Sequence, residues 1–116
     1  MPEGPQAVRS VVAVGAGFFA IQMLTLGAQK LLGTGNLPLT LVYMALIEAL
    51  GGYITARLAV IRPVMHSFAL GVFTFVPSLA LALLAWGSMP TWFQVTALLL
   101  IVPMTMLGGK LWRASA

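Results

Sequence analysis

The chain has no cysteine, which removes disulfides, thiolate nucleophiles, iron–sulfur ligation and cysteine-based zinc sites together. Acid is nearly as scarce. Of the two carboxylates, Glu3 and Glu48, only Glu48 lies within a long apolar run, so two-carboxylate acid–base catalysis is excluded. Charged residues make up 7% of the 116 positions, against roughly 25% in soluble domains. A soluble fold of this length needs a polar surface, and six basic plus two acidic residues cannot cover one.

What is present is apolar: 60% of the chain. A hydrocarbon layer about 30 Å thick takes about 20 residues of helix per crossing, so the length accommodates four spans joined by short loops. The reading is all-α: a polytopic membrane protein with four transmembrane helices, spans about 11–28, 37–59, 68–86 and 92–111, forming one domain. Residues 1–10 read as a polar lead-in with Arg9 at the membrane edge. The first span has the apolar middle of a signal peptide, but Leu26 stands where a small residue is wanted before a cut after Ala28, so it reads as retained. Residues 29–36 read as a tight loop in which Asn36 caps the next helix and Pro38 falls in its tolerant first turn. Residues 60–67 read as the second loop, because the residue before Pro63 is steered away from helix. Pro77 interrupts the third span, and a hydroxyl such as that of Ser78 or Thr74 is expected to help its freed carbonyl. Pro103 interrupts the fourth.

Arg9, Arg57, Arg62, Lys110 and Arg113 fall at one set of segment ends and Lys30 alone at the other. Cytoplasmic loops carry the excess of Lys and Arg, so both termini and the middle loop are expected in the cytoplasm. Trp86 and Trp92 then mark the outer interface and Trp112 the inner one, with Arg57, Arg62 and Arg113 as further anchors. The basic residues are scattered singly, so the net charge of +4 does not point to nucleic acid.

Small residues punctuate the spans. Gly15 and Gly17 would let another helix approach the first span, as would Gly51 and Gly52 in the second and Gly108 and Gly109 in the fourth. Leu50-Gly51-Gly52 recurs as Leu107-Gly108-Gly109, each followed by an arginine. Two hairpins of like orientation, a 2+2 parallel repeat, would explain this. So would the plain tendency of small residues and cations to close membrane helices.

On a helical wheel Ala45, Glu48, Gly52, Thr55 and Ala56 share one face. A carboxylate in hydrocarbon costs several kcal/mol unless it is paired or protonated, so Glu48 should point into the bundle. Two readings are open. Glu48 could be packing glue, bonded to Thr105, Gln22 or Thr25 on another helix, or it could be a proton or cation site. His66, the only histidine, reads as an interfacial hydrogen-bonder, since an axial-ligand role would need a bound group and usually a second His. The serines show no base in a plausible triad, so no enzymatic chemistry and no cofactor or metal is expected.

The string GGYITARLAVIRPVMHSFALG, a proline-interrupted span and the closing LGGKLWRA resemble the small, uncharacterised four-span bacterial inner-membrane proteins that carry GGY-x-x-AR between their second and third helices. That resemblance, over roughly residues 45–114, implies a fold and a compartment and brings no activity. Ala45, Glu48 and Gly51 also reproduce the A-x-x-E-x-x-G spacing of the small multidrug resistance family. There the glutamate lies in the first helix, whereas here a full span precedes it. The expected function is helix packing as an accessory or scaffold subunit or a homo-oligomer, with the bilayer and other membrane helices as partners. The alternative is a small proton-coupled exporter using Glu48.

Overall fold

The computed structural model describes residues 3–33, 35–59 and 62–115. It holds four helices: α1 Glu3–Leu32, α2 Leu37–Ala59, α3 Pro63–Leu84 and α4 Thr91–Ser115. Each contains a segment long and apolar enough to cross a membrane. The molecule measures 48 × 29 × 21 Å, and its long axis is close to the roughly 40–45 Å of a bilayer with its headgroup layers.

Burial departs from the soluble pattern: buried polar residues are about as many as buried apolar ones, and most large apolar side chains face outward. Thr40, Glu48, Thr55, Ser67, Thr74, Gln94 and Thr105 are buried, while Phe19, Leu31, Leu46, Val76, Leu83, Leu84 and Leu99 are among the large apolar side chains turned outward. In water this would expose a large adhesive surface. In lipid, where apolar burial cannot drive helices together, small and hydroxylated residues belong inside.

Several helix boundaries differ from the sequence reading. The lead-in is helical from Glu3 onward, because its Gly-Pro falls in the first turn, where proline is tolerated. The first helix also continues through Gln29 and Lys30, which are good helix formers, and stops at Gly33, whose φ is +73°. The Gly33 amide bonds the Gln29 carbonyl at 2.9 Å, and left-handed backbone here suits a residue without Cβ. Residues 63–67, expected as loop, open α3: Pro63 is its first residue, and the residue displaced from helix is Arg62, at φ 44°. Trp86, placed in the third span, lies beyond Leu84 in the turn to α4.

Of two other local expectations, one is met. The Leu39 amide donates to Asn36 Oδ1 at 3.1 Å, the capping bond expected of Asn36. The carbonyl freed by Pro77, that of Phe73, is not met by either expected hydroxyl: the Ser78 hydroxyl donates instead to the Thr74 carbonyl at 2.8 Å, and the Thr74 hydroxyl has no partner.

Packing sets the register. The Thr55 hydroxyl of α2 donates to the Ala13 carbonyl of α1 at 2.8 Å, and a Cβ on Gly51 would meet Ile21, so α1 and α2 are antiparallel. A Cβ on Gly109 would meet Ser67 and one on Gly71 would meet Thr105, so α3 and α4 are antiparallel as well. The bundle runs up-down-up-down. Helices α2 and α4 cross where Gly52 meets the Thr105 backbone and Gly108 meets that of Ala49. The two contacts exchange under a shift of 56 positions, which carries Gly52 to Gly108 and Ala49 to Thr105, one short of the spacing of the matching tripeptides. Between the hairpins the likeness stops: α2 packs on α3, but among the described residues no Cα of α1 comes within 8 Å of one in α4.

A candidate binding cleft around Glu48

Glu48 sits at the midpoint of α2 and divides the bundle into two unlike halves. Toward the chain termini the helices are closed by small residues. A Cβ on Gly17 would strike Thr55 and Gly51, and the Ser67 hydroxyl bonds the Gly52 carbonyl at 2.8 Å. At that end Tyr53 and Trp112 also meet edge to face, with ring centroids 5.6 Å apart.

The other half contains a cleft of about 330 Å³. Helix α1 contributes Ile21, Gln22 and Thr25, and α2 contributes Met44 and Glu48. Helix α3 contributes Thr74, Ser78 and Leu81, and α4 contributes Phe93, Gln94, Ala97, Leu98 and Ile101. Ser88 and Met89 of the α3–α4 turn complete the lining. Both α1 and α4 line the space while their backbones stay apart, so the cleft occupies the gap between them.

The wheel face holds: Glu48, Gly52, Thr55 and Ala56 are buried and Ala45 half-buried, while Leu46, Leu50 and Arg57 are exposed. Of the partners expected for Glu48, Gln22 and Thr25 share its cleft, whereas Thr105 does not. The Thr105 hydroxyl donates instead to the Val102 carbonyl of its own helix at 2.9 Å, and its backbone fills the space beside Gly52. Only 5% of Glu48 is exposed, yet among the described residues its carboxyl makes no hydrogen bond or ion pair. The hydroxyls of Thr55 and Ser67 carry the interhelical bonds that had been one reading of Glu48.

Five of the six glycines expected to mediate packing do so, and all five contacts are within the chain: Gly17, Gly51, Gly52, Gly108 and Gly109. Gly15 faces outward with nothing within 4 Å of where a Cβ would stand. Arg57, Arg62, Trp86, Trp92 and Arg113 are exposed at the ends of the bundle, and Trp112 is half-buried against Tyr53.

One pair escaped the sequence reading. Ser10 Oγ and His66 Nε2 are 2.7 Å apart, and His66 Nδ1 lies 3.0 Å from the Arg62 carbonyl. So one serine does have a base beside it, and the pair ties α1 to α3. The two are 56 residues apart, and no local motif announces a contact between two helix faces. A larger groove of about 710 Å³, lined by Phe18, Phe68, Phe73, Val76 and other apolar residues, faces outward where lipid would lie and offers no reactive side chain. Among the described residues no cluster of His, Asp or Glu suited to a metal ion is present.

Compared with known proteins, the chain matches no family model, no curated protein and no solved structure.

Proposed function

We propose that this chain is a small proton-coupled transporter whose cleft admits a cation and in which Glu48 alternates between a protonated state and a cation-paired state. The observation that carries the reading is the unpartnered, buried Glu48 in a cleft built from all four helices. An acid at mid-helix in an apolar segment is costly to keep, and packing does not account for it, since Thr55 and Ser67 supply the interhelical bonds. An alternating site also needs one closed side and one open side. The glycine-packed half and the cleft half meet at Glu48.

The accessory-subunit reading draws no support from the same glycines, because Gly17, Gly51, Gly52, Gly108 and Gly109 are engaged inside the bundle. We assign the chain to a bacterial cytoplasmic membrane with both termini inside, on the bias of Arg9, Arg57, Arg62, Lys110 and Arg113 toward one end. The cleft then lies in the half of the bundle away from the cytoplasm. The reciprocal crossing of α2 and α4 supports a 2+2 repeat, and the GGY-x-x-AR string supports kinship with the small four-span inner-membrane proteins it resembles.

The test is flux. In liposomes with a trapped pH indicator, an imposed gradient of an organic cation should drive protons the opposite way, and Glu48→Gln should abolish that movement while the protein stays folded in detergent. Unaltered flux in the variant would end the proposal.

A further inference from the structure

Two other residues lining the cleft each carry a buried oxygen without a partner: the Thr74 hydroxyl on α3 and the Gln94 side-chain oxygen on α4. Thr74 is 3% exposed and Gln94 8%. With Glu48 on α2, three helices each hold an oxygen-bearing side chain at least nine-tenths buried and unpaired at that oxygen, all lining one cavity. Buried polar groups in folded proteins are almost always hydrogen-bonded, and unpaired ones ask for an explanation. Three in one cavity point to a ligand that brings donors.

We infer that the cleft binds a primary ammonium with a compact apolar body, its N–H groups donated to the Glu48 carboxylate, the Thr74 hydroxyl and the Gln94 side-chain oxygen. This rests on the reading of the cleft as a cation site and narrows its chemistry. Hydroxyl and amide oxygens accept from an N–H donor, and a charged donor makes the stronger bond. A quaternary ammonium has no N–H to give. Its sites are built from several aromatic faces, whereas Phe93 is the one aromatic ring among the lining residues. Ile21, Met44, Leu98 and Ile101 would surround the apolar body, and about 330 Å³ is at the small end of ligand cavities. A bare alkali ion could use the same oxygens but would leave those apolar walls unfilled.

The experiment is calorimetric titration of the full chain in lipid-free mild detergent with phenethylammonium and, in parallel, its N-trimethyl analogue. The primary ammonium should bind about tenfold tighter or better, a difference of ~1.4 kcal/mol. Thr74→Val and Gln94→Leu should each weaken the primary ammonium and leave the trimethyl analogue unchanged, and Thr74→Ser, which keeps the hydroxyl, should bind like the parent. Equal affinity for the two cations, indifference to Thr74 and Gln94, or displacement by sodium alone would overturn the inference. If Glu48→Gln still abolished binding of both cations, the broader cation site would survive that failure. If the parent bound neither cation, both readings would fall. Repeating the titration in phosphatidylcholine discs with and without phosphatidylethanolamine separates two sources of the same group. Competition by the second lipid assigns the ammonium to a headgroup, and its absence assigns it to a free amine.

Discussion

Gly108 of α4 lies so close to the Ala49 carbonyl of α2 that a Cβ on the glycine would overlap it, and Gly52 meets the Thr105 backbone in the reciprocal way. Forcing a methyl group into such a contact shifts backbone rather than a flexible side chain, at a cost of about 1–3 kcal/mol. Gly52→Ala and Gly108→Ala should each lower stability by that amount in denaturant titrations in mixed micelles. Gly15→Ala, with open space around it, should be neutral or stabilising by about 0.5–1 kcal/mol through helix propensity. Equal losses at all three positions would refute this account of the crossing.

The hydroxyls that hold the closed half should have a measurable cost of removal. Interhelical hydrogen bonds in membranes average ~0.6 kcal/mol and reach ~1.7 kcal/mol. Thr55→Val and Ser67→Ala should fall in that range, since each loses one bond to a carbonyl on another helix. Thr40→Val is the comparison, because the Thr40 hydroxyl bonds the Asn36 carbonyl within its own turn. Its loss should leave the contact between α1 and α2 unaffected.

Glu48→Gln should leave the melting temperature in detergent unchanged or raise it, because the carboxyl contributes no bond to the bundle. A carboxylate acting as packing glue would behave in the opposite way, with the variant melting earlier or losing an assembled state.

A carbonyl can only accept, so His66 Nδ1, 3.0 Å from the Arg62 carbonyl, carries the ring proton when His66 is neutral. Nε2 then accepts from the Ser10 hydroxyl. Nitrogen NMR of ring-labelled protein at alkaline pH should show the Nδ1–H tautomer, and Ser10→Ala should shift the Nε2 resonance. An Nε2–H ring would contradict the arrangement.

The four helices were legible because runs of apolar residues long enough for a bilayer leave little choice of secondary structure. The buried face of α2 was legible too, since Glu48, Gly52, Thr55 and Ala56 repeat at helical spacing. Helix ends were less so: proline signals both the stop of one helix and the start of the next, and Pro63 was assigned to the wrong one. The partners of Glu48 could not be read from the sequence. Thr105 occupies a suitable place on α4, but its level and rotation are set by the crossing at Gly52 and Gly108, which turns it to the closed half. The gap between α1 and α4, the pairing of Ser10 with His66 and the unpartnered Thr74 and Gln94 all depend on how helices rest on one another. No single helix encodes that.

The central claim is that Glu48 exchanges a proton for a cation within the cleft. It is tested most directly by adding phenethylammonium to the purified protein in weakly buffered detergent and following the pH with an indicator. The account predicts proton release in proportion to the cation bound, and neither release nor binding with Glu48→Gln. Binding without proton release, or equal release from the variant, would contradict it.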